Sequence, residues 1–232
     1  MLILGIDTAT QQVGCAIGGH EGVLAAFQSA RGRRHAETLV PSIQFICAQA
    51  RVELAEIGAI AVDVGPGLFT GLRVGVATAK AMASALRVPM VGVSSLDLLA
   101  FEVRRTSRRI ISVVDARRGE VFYAFYRQVP AGVQRLSDMR CGTPEELCSE
   151  IQATGEECLA IGDGALRYAD QLCDLIRVEI EDASLAYPSP SALVQLAHTR
   201  ALREEFVNAW DLQPVYLRKA DAEVNWQTGP GR

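Results

Sequence analysis

Apolar residues open the chain in three short runs, which are separated by turn-rich segments. The runs span Leu2 to Ile6, Val13 to Ile17 and Val23 to Phe27. Apolar runs of this length between turn residues are typical of strands. The pattern therefore predicts a meander of three strands at the start of the chain.

The hydrophobic period then changes to that of a helix over about residues 36–50. Apolar positions three and four residues apart fall on one helix face. That face would carry Leu39, Ile43, Ile46 and Ala50, and Val40 and Cys47 would widen it. Because a first helical turn tolerates the missing N–H of proline, Pro41 favours a helix start near Thr38.

Strands and helices alternate in the next part of the chain. The pattern predicts a strand over Ile57 to Val64, a nearly uncharged helix over Thr70 to Leu86, a strand over Met90 to Val93 and a helix capped by Ser94 or Ser95. Glycines and a proline at 65–67 end the first of these strands, since such residues break a strand ladder. The order indicates a mixed sheet that carries helices.

A second copy of the opening pattern begins near Ile110. At an offset of 108 residues the matched positions are Asp7 with Asp115, Val13 with Val121, Ala16 with Ala124 and Ile17 with Phe125. Leu159 to Gly164 likewise echoes the apolar run, acid and glycine of Ala61 to Gly65. Two echoes in the same order indicate a duplicated domain.

Two such halves, each opening with an acid at a hairpin turn, resemble the actin, Hsp70 and sugar-kinase superfamily. We therefore expect an α/β fold made of a duplicated actin-like (ASKHA) domain, with mixed sheets flanked by helices. The expected domains are 1–105 and 106–232, with the junction near 104–109. A last helix over about 191–205 is expected to join the first domain, and 221–232 to form a frayed tail.

Charge is distributed unevenly, although the total of −4 is too small to require a polyanionic partner. Residues 1–140 carry 16 basic and 11 acidic side chains, whereas 141–232 carry 7 and 16, so the net charges are +5 and −9. Either the halves face different partners or two solvated faces differ in charge.

No apolar run reaches the roughly 18 residues that a membrane span needs, and Asp7 comes too early for a signal peptide. We therefore expect a cytoplasmic protein with no membrane partner. The six cysteines include no Cys-x-x-Cys pair, and a chain of 232 residues can build its own core. Reduced thiols are expected.

Two turns are candidates for nucleotide binding, because turn N–H groups and helix N-termini favour phosphate. The candidate residues are Asp7, Thr8, Gly65, Gly67, Thr70 and Gly71. However, no Gly-Lys-Ser/Thr follows the glycines as in a Walker A loop, and simple turn geometry explains the same glycines. Asp7 fits either a carboxylate near a magnesium-bound water or one that bonds to its own turn. No cofactor is expected to bind tightly, and ATP or ADP with Mg²⁺ would bind weakly or only through a complex.

Five motifs, taken in order from residue 1 to about 218, together resemble the TsaB (YeaZ) family. They are Ile6-Asp7-Thr8-Ala9-Thr10, Gly65-Pro66-Gly67 with Phe69-Thr70-Gly71-Leu72-Arg73, Gly92-Val93-Ser94-Ser95-Leu96, Asp115 to Val121, and Pro214 to Arg218. Leu68 departs from the family, in which a serine is common at this turn. The departure weakens any expectation of a polar contact there.

The resemblance implies a non-catalytic subunit that supports TsaD in forming N6-threonylcarbamoyladenosine at position 37 of tRNAs that read codons starting with A. TsaD and the ATPase TsaE are the implied partners, tRNA is reached through the complex, and a homodimer is implied when TsaD is absent. TsaD binds a metal through a His-x-x-x-His pair on the helix that here begins Ser94-Ser95-Leu96-Asp97. We therefore expect neither a metal site nor catalytic residues. A stand-alone ATP-dependent enzyme of the sugar-kinase type is the rival interpretation, and the missing histidines disfavour a metallopeptidase.

The family also implies a partner surface on the two helices of the first half. Its expected residues are Leu39, Val40, Ile43, Phe45, Cys47, Arg73, Val76, Ala77 and Lys80. Phe45 lies off the apolar stripe of its helix and would point away from the core. The alternative is that other segments of this chain cover both helices.

Two further features each have a structural and a functional interpretation. His35 is expected to be a solvated residue near a helix start, with a partner or tRNA contact as the alternative. The arginines at 104, 105, 108, 109, 117 and 118 would form a solvated interdomain edge or contact tRNA phosphate.

Overall fold

Each half of the chain builds a mixed sheet with the same order of its five main strands. The computed structural model describes residues 1–30, 35–130, 132–173 and 177–218. The strands of the first sheet are β1 (Leu2–Asp7), β2 (Val13–Gly19), β3 (Gly22–Ser29), β4 (Ile57–Asp63) and β5 (Met90–Val93). They lie in the order β3-β2-β1-β4-β5, in which β2 is antiparallel to both of its neighbours, and β4 and β5 run parallel to β1.

The second sheet repeats this arrangement. Its strands are β6 (Arg109–Arg117), β7 (Glu120–Val129), β8 (Gly132–Arg135), β9 (Arg140–Gly142), β10 (Cys158–Ile161) and β11 (Val178–Ile180). The order β11-β10-β6-β7-β8 matches the first sheet strand for strand, and β9 adds a short pairing with β7. The predicted duplicated actin-like fold is therefore confirmed.

Helices cover both faces of each sheet. They are α1 (His35–Ala50), α2 (Phe69–Leu86), α3 (Ser95–Glu102), α4 (Pro144–Thr154), α5 (Asp163–Arg167), α6 (Ala169–Cys173) and α7 (Pro190–Ala201). α1 and α2 pack on one face of the first sheet and α7 on the other. α3 lies between the lobes, since Leu98 packs on the first sheet while Leu96 and Leu99 pack on the second. α4, α5 and α6 cover the outer face of the second sheet.

Two predicted helix boundaries are wrong. α1 begins at His35 instead of near Thr38, so Pro41 lies in its second turn, where its ring faces solvent and only one backbone hydrogen bond is lost. α7 ends at Ala201, because the chain turns after it and Glu204 adopts a left-handed conformation with φ of 59°. The predicted cap of α3 is confirmed, since Ser94 Oγ accepts the N–H of Asp97. The predicted tail, 221–232, lies outside the described residues.

Within the described ranges, no helix combines the length and the apolar character that crossing a membrane requires.

Candidate functional site

The first hairpin loop packs directly against the start of α2. Thr8 Oγ1 donates to the carbonyl of Gly71 at 2.7 Å, and the N–H of Leu68 donates to the carbonyl of Ala9 at 2.7 Å. A Cβ atom on Gly67 would lie 2.1 Å from the Ala9 carbonyl oxygen, and one on Gly71 would lie 2.1 Å from that of Thr8. Glycine is required at both positions because two backbones meet there.

This packing decides where the candidate nucleotide-binding residues lie. Asp7 and Thr8 are fully buried, and Asp7 Oδ1 accepts the N–H of Ala9 at 2.9 Å, which is a carboxylate bonding to its own turn. Of the six candidates only Thr70 is well exposed. The two turns thus bond to each other, while Gly67 and Thr70 also line the cavity between the lobes. Weak nucleotide binding stays a prediction.

His35 is buried and bonds to this loop. The expectation that it is a solvated residue is therefore wrong. Its side chain is buried, and Nε2 lies 2.8 Å from the carbonyl oxygen of Thr10, so Nε2 carries the donated proton. Gln12 ties the other end of the loop to the second half of the chain by donating to the Pro188 carbonyl at 2.9 Å. The loop is therefore fixed from α1, from α2 and from the segment before α7.

A second acid, which is not among the expected site residues, lies beside Asp7. β1 and β4 are parallel neighbours, and the pairing of Ile6 with Val62 brings Asp7 next to Asp63. Burial raises the pKa of Asp63 to about 7. Burial and the nearby Asp63 charge raise the pKa of Asp7 well above its ordinary value. Both acids end apolar strands, and this shared position is the sequence signal that could have identified the pair.

A second acid pair lies at the matching edge of the second sheet, but arginines accompany it. Asp163 Oδ1 accepts the N–H of Asp115 at 2.9 Å. Asp115 Oδ2 is 3.0 Å from both Arg117 Nη1 and Arg167 Nη1. Burial raises the pKa of Asp163 to about 6. These contacts give Asp115 a structural role, because it holds the β6–β7 turn and α5 together.

A cavity of about 350 Å³ lies between the lobes. Its walls are the start of α2, the β6–β7 turn and the segment 215–218. This segment crosses from one lobe to the other. The N–H of Val215 donates to Val64 in the first lobe at 2.7 Å, and Arg218 Nη1 contacts Glu120 Oε2 in the second at 2.6 Å. Tyr216 packs against Phe69 with 5.2 Å between ring centroids.

Most of the described arginines of the basic stretch are engaged within the protein. Arg108 pairs with Glu179, Arg109 forms a bidentate pair with Glu156 at 2.6 and 2.8 Å, and Arg104 stacks on Phe101. These contacts fit the solvated edge better than a phosphate-binding surface. Phe122 and Tyr123, the aromatic residues that follow this basic stretch, face opposite sides of their sheet and are both core residues. Neither therefore offers an exposed ring on which a nucleobase could stack.

The predicted partner surface divides into a buried and an exposed part. Leu39, Ile43, Cys47 and Val76 belong to the core between the first sheet and its helices, so their assignment to a contact surface is wrong. Val40 is 49% and Phe45 is 53% exposed. Arg73 and Ala77 are exposed and Lys80 is half-buried. We call these five exposed or half-buried residues the helix-pair face.

The helix that the resemblance relates to the metal helix of TsaD has a different role here. Asp97 on α3 accepts from Tyr126 Oη at 2.9 Å and lies 3.4 Å from Arg200 Nη2, which joins α3 to β7 and α7. In the part of the chain that the structure describes, no three His, Cys, Asp or Glu side chains are grouped as metal ligands would be.

Comparison with known proteins supports the resemblance over the whole chain. The family model of TsaD, tRNA N6-adenosine threonylcarbamoyltransferase, matches residues 28–226. The tRNA threonylcarbamoyladenosine biosynthesis protein TsaB of Escherichia coli K12 is 30% identical over 235 residues, covering all of both chains. The chain belongs to the TsaB (YeaZ) family.

Solved structures agree with membership of the TsaB family. YeaZ from Pseudomonas aeruginosa superposes with a TM-score of 0.79 at 27% identity, over 93% of this chain and 99% of that one. Component A of (R)-2-hydroxyglutaryl-CoA dehydratase from Acidaminococcus fermentans reaches a TM-score of 0.50 at 11% identity, over 87% of this chain and 99% of that one. This second likeness concerns the fold alone.

Proposed function

We propose that this TsaB-family chain takes part in threonylcarbamoyladenosine biosynthesis as a non-catalytic subunit that pairs with a TsaD-type protein. The modification is formed at position 37 of tRNAs that read codons starting with A. TsaE and tRNA join through the complex that the two subunits form. The name of the E. coli relative supports the pathway, and the TsaD family match supports a partner of the same fold.

The observation that carries the proposal is the helix-pair face. Phe45 is a large aromatic with more than half of its surface exposed, and Val40 lies on the same helix with almost half exposed. We take these two exposed apolar side chains on an otherwise well-packed lobe as part of a contact surface. No described segment of this chain covers these two side chains. Arg73 and Lys80 add charged groups from α2, and charged or polar groups form the rim of a typical interface.

Small side chains on α2 make this face suitable for packing against another helix. Ala77 is exposed, and Ala81 and Ser84 continue its stripe along the helix. Small residues let two helices approach closely, so a bulky charge at the centre of such a contact prevents it. We infer an antiparallel helix-pair contact with TsaD, or with a second copy of this chain when TsaD is absent.

The test uses one charged variant on each helix. Phe45→Arg and Ala77→Glu are both expected to fold normally and to weaken binding to the TsaD relative by at least about 2 kcal/mol, roughly a 30-fold rise in Kd. Affinity is measured by calorimetry with the TsaD-type protein of the same organism, and the reconstituted tRNA modification is measured beside it.

Two matched controls separate the face from general surface effects. Leu202→Arg places the same charge on another exposed apolar residue, at the end of α7 on the opposite side of the first sheet. Ala153→Glu places it on an exposed alanine of α4 in the second lobe. Both should bind normally. Wild-type affinity in both face variants would place the interface elsewhere, and micromolar binding of ATP with Mg²⁺ to the isolated chain would support the kinase-type rival.

A further inference from the structure

Asp7 and Asp63 form a buried pair of acids whose hydrogen bonds are incomplete. Asp7 is 0% and Asp63 is 2% exposed. Asp7 Oδ1 accepts from the N–H of Ala9, and Asp63 Oδ1 accepts from the N–H of Gly65 and from Ser95 Oγ, both at 2.7 Å. The two Oδ2 atoms are fully buried and have no donor in the part of the chain that the structure describes. Two ionised carboxylates could not satisfy each other, because neither has a proton to donate.

Among the described residues, the surroundings supply no positive charge to either carboxylate. No Lys, Arg or His of the described residues hydrogen-bonds to the pair. The nearby titratable groups are Asp97 on α3, whose own contacts are Arg200 and Arg135, and His35 on α1, which bonds to the Thr10 carbonyl. The charged groups of α2, Arg73 and Lys80, lie on its outer side. Two adjacent buried negative charges without a cation would be strongly unfavourable.

We propose that Asp7 and Asp63 share one proton between their Oδ2 atoms, and that this acid–carboxylate hydrogen bond joins β1 to β4 beneath the first hairpin loop. The shared proton gives each orphaned oxygen a partner and reduces the charge of the pair from −2 to −1. Hydrogen bonds between a carboxylic acid and a carboxylate are short and strong.

The proposal makes the stability of the first lobe depend on pH, with a defined sign. In the unfolded chain both acids lose their protons near pH 4. In the folded chain burial raises both pKa values, for Asp63 to about 7. The stabilising contribution is therefore complete below about pH 4 and is lost progressively as pH rises towards 7. Weakening of this pair would loosen the loop that holds the start of α2.

The amide variants provide a direct test, since each keeps the existing bonds. In Asp63→Asn, Oδ1 still accepts from Gly65 and Ser95 while Nδ2 can donate permanently to Asp7. Asp7→Asn reverses these roles. Thermal unfolding is followed from pH 5 to pH 8, with Asp138→Asn as a control that removes an exposed carboxylate. We expect the Tm of Asp63→Asn relative to wild type to rise by about 5 °C across this range, while the Asp138→Asn difference stays constant.

The double variant tests whether the two groups bond to each other. With Asn at both positions two Nδ2 groups face one another and one donor is left unpaired. We expect its Tm to lie below that of either single variant, although both charges are gone. If the effects of the two substitutions on Tm are additive, the proposal is wrong. It is also wrong if both single variants have a lower Tm than the wild type at every pH.

Two measurements on the unaltered protein keep the proposal testable if the variants fail to fold. NMR of ¹³C-labelled aspartate should show at least one protonated carboxyl group from this pair at pH 6. Two ionised signals at that pH would contradict a shared proton. A rise in the wild-type Tm caused by Mg²⁺ at pH 8 and absent in Asp63→Asn would also contradict it, because a bound cation would then neutralise the pair.

Discussion

The two lobes have the same sheet topology, yet they neutralise the acids at their inner edges in different ways. In the first lobe no described cation contacts Asp7 or Asp63, and their Oδ2 atoms have no donor among the described residues. In the second lobe Arg117 and Arg167 both approach Asp115 within 3.0 Å. The comparison shows that duplication preserved the position of an acid at the end of the first strand, whereas the groups that stabilise it differ.

The loops above these acids differ as well. In the first lobe the loop after β1 is pressed against α2, so that glycines on the helix are needed. In the second lobe the turn after β6 is open, and a Cβ on Gly119 would meet no atom within 4 Å. The closely packed loop of the first lobe therefore holds α2, which carries part of the helix-pair face. The second keeps a turn that lines the cavity between the lobes.

The largest expected effect comes from disturbing the contact that only the first lobe has. Gly71→Ala should lower the free energy of unfolding by about 3 kcal/mol, because the overlap with the Thr8 carbonyl outweighs the gain of about 1 kcal/mol in helix propensity. Gly119→Ala in the second lobe should cost only about 1 kcal/mol, from its φ of 80°. Urea denaturation of both variants measures the difference. Equal costs would mean that the two loops are not packed differently.

A smaller effect separates the two acid pairs. Asp115→Asn should cost about 2 kcal/mol at pH 7, because it removes both arginine contacts from a buried carboxylate. Arg117 and Arg167 are 39% and 51% exposed, so solvent reduces the loss. Asp63→Asn should cost less than Asp115→Asn or be stabilising. Denaturation in low and high salt is the measurement, and a similar cost for both variants would remove the electrostatic contrast between the lobes.

The sequence predicted the regular elements of the first lobe because their apolar runs are long and continuous. It missed β8, β9 and β11, which are edge or peripheral strands of three or four residues with mostly polar or half-buried side chains. α4 was also missed, although Thr143 and Glu146 form a capping box that is readable as Thr-x-x-Glu.

The site was harder to predict, since its residues come from distant segments. Both acids end apolar runs, but Asp63 is next to Asp7 only because β4 pairs with β1, and the sequence does not show which strands more than 50 residues apart pair with each other. His35 gave no periodic signal either, and its burial follows from the position of the first loop over α1. By contrast, the exposure of Phe45 followed from its position off the helix stripe, which helical geometry fixes.

The smallest expected effect concerns the segment that joins the unlike lobes. Arg218→Ala removes the contact with Glu120 at 2.6 Å, and both side chains are about one-third exposed, so the loss in stability should be no more than about 1 kcal/mol. Its effect on local opening should be larger than its effect on global stability, because Val215 and Tyr216 still hold the segment to the first lobe. Hydrogen exchange should therefore accelerate in residues 215–218 and in the β6–β7 turn, but not in α1 or α2.

Arg127→Ala, which breaks an exposed contact to Gln134 within one sheet, is the matched control. Faster exchange in α2 of Arg218→Ala, but not of Arg127→Ala, would mean that the segment stabilises both lobes as one unit. The two lobes would then differ only in their acid pairs and loops.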